Sequence, residues 1–150
     1  MVEVQGYNFP DDLRYTDDHI WVRKEDDLLT FGFDDLAAKL IGNILFVMLA
    51  DEGTELAPGM VFGTVESMKW VERLRSPVSG MVKEVNRDLE LDPTIVNREP
   101  YGEGWFIRVT PSTGVADELS KLASGSGLMD WVIKEIERRQ KQVGESKKKG

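Results

Sequence analysis

The chain has 150 residues, 41% of them apolar, which suffices for one domain with a single core. Its formal net charge of −8 argues against nucleic-acid binding, because neutralising phosphates requires clustered lysine and arginine. Cysteine is absent, which excludes disulfides, thiolate nucleophiles and cysteine metal sites, so any redox chemistry would need a borrowed group.

The first third of the chain predicts a hairpin, a short helix and a buried strand. "HIWVRKEDDLLTFGF" indicates strands at 20–23 and 28–33 with a polar turn at 25–27. In "DDLAAKLIG", Asp34 can cap the first turn of a helix near 34–41, and Gly42 can adopt the left-handed conformation that stops it. "NILFVML" is almost continuously apolar, which predicts a strand buried on both faces.

Further strands follow at regular spacing. Pro58 and Gly59 indicate a turn before a strand at 60–66, and "VERLR" returns after a tip at Lys69. The turn "SPVSG" leads to the strand "MVKEV", and Pro111 ends a last strand in "GWFIRVTP". Short strands separated by glycine and proline turns predict a mainly β protein, either a small sandwich or a flattened barrel.

The C-terminal part changes to helical spacing, predicted over 114–143. Leu128, Val132 and Ile136 recur at four-residue steps in "GLMDWVIKEIERRQKQVG". This face is expected to pack on the sandwich, with docking to a partner as the alternative. The basic end at 144–150 predicts a disordered tail. The chain as a whole is predicted to form one domain.

The single histidine, His19, limits chemistry that depends on histidine, since a triad or a zinc site would have to be built around one ring. It lies in "HIWVR", at the start of a predicted strand, where a structural role is more common than contact with a partner or ligand. The acidic residues show no spacing that singles out a catalytic pair. The sequence therefore predicts neither a catalytic residue nor a metal site.

Lys69 lies between two strand-like runs in "GTVESMKWVERLRSPVSG", where a tight turn would place its amine in solvent. A lysine at such a tip is usually only a solubilising residue. A rigid β platform that presents one lysine is, however, what an enzyme needs in order to modify that amine and no other. Gly63 and Gly80 bracket the hairpin, and we expect Gly80 to adopt a positive φ or to allow close strand approach.

Four segments of the chain are distinctive when taken together: "HIWV", "IGNILFVML", "VESMKWVERLRSPVSGMVKEVN" and "NREPYGEGWFIRV". In this order they resemble the H protein of the glycine cleavage system, a lipoate carrier with the biotinyl/lipoyl-attachment fold. The resemblance spans about Leu13 to Thr110, which is also the predicted β core at about 13–110. It implies two antiparallel sheets in the hybrid motif of lipoyl domains, small helices and a helical C-terminus.

The resemblance also implies the site. Lys69 stands at the position where the family carries lipoate in amide linkage. No catalytic residue and no metal ligand is implied. The remaining residues of the implied site flank this lysine or support its hairpin: Glu66, Ser67, Met68, Trp70 and Gly80.

The resemblance implies a non-catalytic carrier whose lipoyl disulfide shuttles an aminomethyl group and reducing equivalents. The implied partners are glycine decarboxylase (P protein), aminomethyltransferase (T protein) and dihydrolipoyl dehydrogenase (L protein), together with a lipoate ligase or a lipoyl or octanoyl transferase. Exchange would proceed by thiol–disulfide chemistry, and tethering would raise the effective concentration of the arm at each partner. We expect the carrier to be a monomer.

The location predicted from the sequence is cytoplasmic. No apolar run approaches the roughly 20 residues of a membrane span. The segment "MVEVQGYNFP" lacks the basic start and the apolar core of a signal peptide. We therefore expect no membrane partner.

Two related carriers fit less well. Biotin carriers usually have methionine on both sides of the lysine, and here Met68 fits whereas Trp70 does not. Lipoyl domains of 2-oxo-acid dehydrogenases usually have aspartate before the lysine and lack the segment "PYGEGW".

Departures from the usual H-protein pattern leave the partners open. The flank at 70–75 reads "WVERLR", where the family commonly has small residues followed by an acidic and an aromatic one. Ile20, Asn43 and Met48 stand where glutamate, aspartate and glutamate are usual. One alternative is an H-protein-like lipoate-binding protein that carries sulfur for a heterodisulfide-reductase-like sulfur-oxidising complex. A further alternative is a structural paralogue without lipoate.

Overall fold

The computed structural model describes residues 1–149, except for the side chains of Ser126 and of residues 143–149. The strands are β1 (Val2–Val4), β2 (Tyr7–Phe9), β3 (Arg14–Tyr15), β4 (Ile20–Glu25), β5 (Leu28–Phe33), β6 (Ile44–Leu49), β7 (Glu55–Leu56), β8 (Val61–Ser67), β9 (Val71–Arg75), β10 (Gly80–Val85) and β11 (Ile107–Pro111). The helices are α1 (Asp35–Leu40), α2 (Asp88–Leu91), α3 (Ile95–Arg98), α4 (Val115–Ser120) and α5 (Leu128–Lys149), and a 3-10 turn covers Gly125–Gly127.

The strands form two main antiparallel sheets and one small hairpin. The larger sheet has the order β3-β4-β5-β11-β10-β7, and the smaller has the order β6-β8-β9. Strands β1 and β2 form the separate hairpin, which the sequence analysis missed. Buried side chains of both main sheets share one apolar cluster, so the predicted sandwich is confirmed. Within residues 1–149 the sheets do not close into a barrel.

The local signals for the first hairpin and helix are confirmed. β4 and β5 pair in register from Ile20–Phe33 to Glu25–Leu28, around a shorter turn than predicted. The carboxylate of Asp34 accepts a hydrogen bond of 3.0 Å from the Ala37 amide and so caps α1. Gly42 has a φ of +82°, which is the left-handed conformation that ends this helix.

The prediction that β6 is buried on both faces is wrong. Ile44 and Val47 are buried in the main core, but Phe46 is 62% exposed and Met48 is 70% exposed. β6 is an edge strand of the smaller sheet, whose inner face alone packs on the larger sheet. An apolar run becomes buried on both sides only where a second layer covers it, and none of the described elements covers the outer face of this sheet.

The larger sheet does have a second layer, which α5 and the β1–β2 hairpin supply. Leu128, Val132 and Ile136 are fully buried, as their four-residue spacing predicts, and pack with Trp21 on the outer side of β4. The predicted packing of this helix on the sandwich is therefore confirmed. The second apolar cluster is completed by residues of the N-terminal segment and α1: Phe9, Leu13, Tyr15 and Leu36.

Helix α5 has 22 residues and extends to Lys149, past residue 143, where we predicted the helical part to end. Gly150 lies outside the described residues, and the disordered tail predicted at 144–150 stays a prediction. Neither α5 nor any other helix within residues 1–149 combines the length and apolar character that crossing a bilayer requires.

Candidate functional site

Lys69 lies at the tip of the hairpin formed by β8 and β9, as predicted. The Ser67 amide donates a hydrogen bond of 2.9 Å to the Trp70 carbonyl, which closes the turn. The Ser67 hydroxyl oxygen accepts two more, from the amides of Lys69 at 3.2 Å and Trp70 at 3.1 Å. Ser67 is buried and the two bonds that its hydroxyl accepts are partly buried, so they constrain the backbone under the lysine.

The lysine amine itself is exposed and available. Lys69 is exposed, and its amine makes no hydrogen bond or ion pair with any described residue. Lys39, by contrast, donates to the Gly6 carbonyl and pairs with Asp35, both at 3.0 Å. Lys83 lies within β10 and not at a turn. Lys69 is thus an uncommitted amine on a constrained turn.

The residues on either side of Lys69 divide between solvent and core. Glu66 is exposed on β8, and Met68 is 82% exposed beside the lysine. Trp70 is partly buried and packs against the main core. The indole therefore contributes packing and still presents surface next to the lysine, where the lysine side chain or a partner can contact it.

Gly80 shows close strand approach and not a left-handed turn. It is the first residue of β10, opposite Pro111 of β11 and Leu56 of β7, and it is absent from the positive-φ glycines of residues 1–149. A β-carbon there would lie 2.5 Å from the Thr110 carbonyl oxygen. The glycine belongs to the larger sheet, after the end of β9 that is remote from the tip, so its influence on Lys69 is indirect.

His19 lies in a buried charged cluster away from the hairpin tip. The ring is fully buried, and its Nδ1 lies 2.7 Å from the Asp34 carboxylate. Its Nε2 lies 3.0 Å from Glu135 of α5, close enough for an ion pair but not aligned as a hydrogen bond. The ring also lies against Trp131, with centroids 5.6 Å apart. The structural role predicted for His19 is confirmed.

The electrostatics of this cluster follow from burial and pairing. Burial alone would lower the pKa of His19, but the Asp34 and Glu135 carboxylates raise that pKa to about 9. Burial would raise the pKa of Glu135, but its ion pairs with His19 and Arg138 lower that pKa to about 2. The cluster is therefore charged at neutral pH and links the start of β4 to α5.

Sequence reasoning named Ser67 only as a neighbour of the lysine and missed its structural part. Serine hydroxyls commonly accept hydrogen bonds from the amides two and three residues later, which is the arrangement seen here. A serine directly before a predicted tight turn was the available signal. Among the described residues, no group of three or more histidine, aspartate or glutamate side chains is placed to hold a metal ion.

Comparison with known proteins agrees with this arrangement. A sequence model of the family described as glycine cleavage H-protein matches residues 13–135, a range that includes Lys69. The glycine cleavage system H protein of Salinibacter ruber is 49% identical over 100 residues, which are 67% of this chain and 81% of that protein. The corresponding protein of Bacteroides fragilis is 42% identical over 120 residues, or 80% of this chain and 94% of its own.

A solved structure is similar as well. The crystal structure of a glycine cleavage system H protein from Mycobacterium marinum superposes with a TM-score of 0.72 at 31% sequence identity. The similarity covers 82% of this chain and 98% of that one. Sequence match and fold agree, and the chain belongs to the glycine cleavage H-protein family.

Proposed function

We propose that this chain is a lipoyl carrier of the glycine cleavage system, with lipoate attached through an amide to Lys69. The observation that carries the proposal is the exposed, uncommitted lysine on a turn fixed by Ser67, within the range matched by the family. H proteins are carriers rather than catalysts, and we assign no catalytic residue to this chain.

The residues around Lys69 fit a tethered lipoyl group. The amine has no partner to lose among the described residues, so acylation costs no existing ion pair. The constrained turn limits motion of the attachment point, which leaves movement to the lysine side chain and the group beyond it. A lipoyl group would supply the reactive disulfide that the cysteine-free chain lacks, for carrying an aminomethyl group and reducing equivalents.

The proposed partners are those that the family relationship implies. They are the glycine decarboxylase, aminomethyltransferase and dihydrolipoyl dehydrogenase of the glycine cleavage system, and an enzyme that attaches lipoate. Their access to one lysine requires that the hairpin tip be unobstructed, and Lys69 and Met68 are both exposed there.

The first test is the mass of the protein after incubation with lipoate, ATP and the lipoate-attaching enzyme of the same organism. We expect one lipoyl group per chain, mapped to Lys69, in wild type and in the control Lys83→Arg. Lys69→Arg should remain unmodified. A lipoyl group on another residue, or one retained in Lys69→Arg, would refute the assignment.

A second test addresses the pathway. The lipoylated protein should support glycine-dependent CO₂ exchange by the decarboxylase of the same organism, and the Lys69→Arg protein should not. A lipoylated wild type without exchange activity would favour the sulfur-carrying alternative, which the unusual flank at 70–75 keeps open. Wild type that acquires no lipoyl group would favour the structural paralogue.

A further inference from the structure

The smaller sheet presents an apolar outer face directly below the hairpin tip. Pairing places Phe46, Glu66 and Val71 side by side in the row next to the turn. Residues directly opposite one another on paired strands point to the same face, and all three are exposed. The next row on this face contains Met48, Thr64 and Arg73.

Large side chains are exposed on this outer face, defined by Phe46, Met48, Val71 and Arg73, and at Met68 in the turn beside it. Phe46 is 62%, Met48 70%, Val71 66% and Met68 82% exposed. No described element covers them, although the opposite side of the molecule is covered by α5. Glu66 and Thr64 of the central strand β8 lie between the exposed side chains of β6 and β9. Large exposed apolar side chains grouped in this way on a folded domain mark an interaction surface.

The composition of the outer face is that of an interface centre. Aromatic residues, methionine and arginine are enriched at the cores of protein interfaces, and arginine is frequent among the residues that dominate binding energy. Methionine side chains are flexible and polarizable, so they adapt to the shape of a partner. The face therefore suits a protein partner.

We propose that the outer face is the docking surface for the enzyme that attaches lipoate to Lys69, an inference that rests on the proposed function. This enzyme must bring its active site to the lysine amine itself, whereas enzymes acting on the finished arm meet it at the far end of a flexible tether. Attachment thus requires the closest contact with the residues around the tip. The outer face adjoins that tip through Met68 and the Phe46–Val71 row.

The charge on this face specifies the partner further. Glu66 lies on this face, in the row next to that of Arg73. On β9, Glu72 points to the opposite face, like Val65 with which it is paired, and lies 3.9 Å from Arg139 of α5, while Arg75 donates to the Gly59 carbonyl at 3.0 Å. Arg73, which lies between them on β9, makes no hydrogen bond or ion pair with any described residue. An arginine in an interface needs a carboxylate or carbonyl when it is desolvated. The docking enzyme should therefore present apolar side chains with a carboxylate opposite Arg73 and a hydrogen-bond donor or cation opposite Glu66.

The reaction at this surface is an acyl transfer. The neutral amine of Lys69 attacks the carboxyl carbon of lipoate activated as a mixed anhydride with AMP, which ATP supplies. An amide C–N bond forms, the bond from the acyl carbon to the phosphate oxygen breaks, and AMP leaves while the amine loses a proton to solvent. No electron transfer occurs, and the chain contributes only the amine and its presentation.

The experiment measures lipoylation of unmodified protein by intact mass, as initial rates over a range of protein concentrations. The enzyme is the lipoate-attaching enzyme of the same organism, with lipoate and ATP. Phe46→Ser combined with Met48→Ser should lower kcat/KM about tenfold or more, mainly through KM, because two central contacts are lost while the amine is unchanged. Met129→Ser on α5 and Met81→Ser on the larger sheet, which remove exposed apolar side chains away from this face, should match wild type.

Arg73→Glu provides a second measurement that does not alter the apolar residues. It should also raise KM, and the difference from wild type should shrink as salt is added, because the new charge opposes the partner's carboxylate. Since all these side chains are exposed, thermal melts of the variants should match that of wild type.

The outcomes separate the two proposals. If wild type is lipoylated on Lys69 but the double variant and Arg73→Glu remain within twofold of it, the docking surface is refuted and the carrier function stands. If wild type is not lipoylated, both proposals fall. A fall in the double variant that Met129→Ser and Met81→Ser reproduce would also refute the surface, because the loss would then not depend on this face.

Discussion

The buried cluster around His19 should make stability depend on pH above neutrality. The pKa of His19 is raised from its ordinary 6.5 to about 9, and each factor of ten in proton affinity corresponds to about 1.36 kcal/mol. The difference of about 2.5 decades amounts to about 3 kcal/mol of stability from the charged ring. Because the folded-state pKa is the higher one, this contribution is complete below pH 6.5 and is lost as the pH rises through about 9.

The groups facing the ring determine this sign. Asp34 and Glu135 favour the charged ring, while burial and the Arg139 charge oppose it. Arg138 lies behind Glu135, which it contacts at 2.6 Å, and keeps that carboxylate ionised. The stability that Glu135 contributes, through its own lowered pKa of about 2, is present above pH 4.5 and is lost as the pH falls towards 2.

The assay is urea unfolding at several pH values between 6 and 10. Wild type should lose about 3 kcal/mol of unfolding free energy over this range, and His19→Asn should be less stable at pH 6 and nearly independent of pH. Asparagine is chosen because it tolerates the positive φ of 66° at this position. His19 is the only histidine, and the buried side chains of Tyr15 and Tyr101, whose pKa values burial raises, add to the slope only near pH 10. The Asp11 carboxylate, whose pKa is lowered by its pairing with the N-terminal amine at 2.7 Å, stays ionised throughout this range. Asp11→Asn is therefore the control and should keep the slope; an equal slope in His19→Asn would refute the reasoning.

Three further predictions concern the hairpin and its support. Ser67→Ala removes the acceptor of two amide hydrogen bonds, so it should lower the unfolding free energy by about 1–2 kcal/mol and slow lipoylation of Lys69. An unchanged melt and an unchanged rate would show that the Ser67 hydroxyl does not fix the turn. Gly80→Ala forces a carbon against the neighbouring strand and should lower the unfolding free energy in urea by about 1–3 kcal/mol. Gly127→Ala, whose added carbon meets nothing within 4 Å, should lower it much less, and equal losses would contradict the close-approach explanation. Trp70→Ala should lower the unfolding free energy by less than the roughly 3–5 kcal/mol of a fully buried tryptophan and should change turnover by the decarboxylase modestly. A loss of unfolding free energy at the upper end of that range, without any change in turnover, would assign the indole to packing alone.

Short-range signals in the sequence were sufficient for much of the fold. The helix cap at Asp34 and the stop at Gly42 depend on neighbours within a few residues, and both are confirmed. The N-terminal hairpin was missed because its strands have three residues each. Its turn at Gln5 and Gly6, both with positive φ, lacks the usual asparagine–glycine signature.

Long-range features were not accessible in the same way. An apolar strand such as β6 looks the same in sequence whether or not a second layer covers its outer face, and that depends on where α5 packs. The partner of His19 on α5, Glu135, is distant in the chain, and no periodicity connects them. At the candidate site the position of Lys69 was predictable, whereas the hydrogen bonds of Ser67 required the folded turn.

The two-sided cover of β4 and β5 has a consequence for local opening of the molecule. Amide hydrogens exchange slowly where strands are covered on both faces, and faster where a strand lies at an edge with one face in water. Ile20 and Val22 face the main core while Trp21 faces α5, so the amides of β4 should exchange only on global unfolding. The smaller sheet has three strands, two of them edges, and should open at lower free energy. The molecule thus combines a slowly exchanging body with a hairpin that can open locally without unfolding the rest.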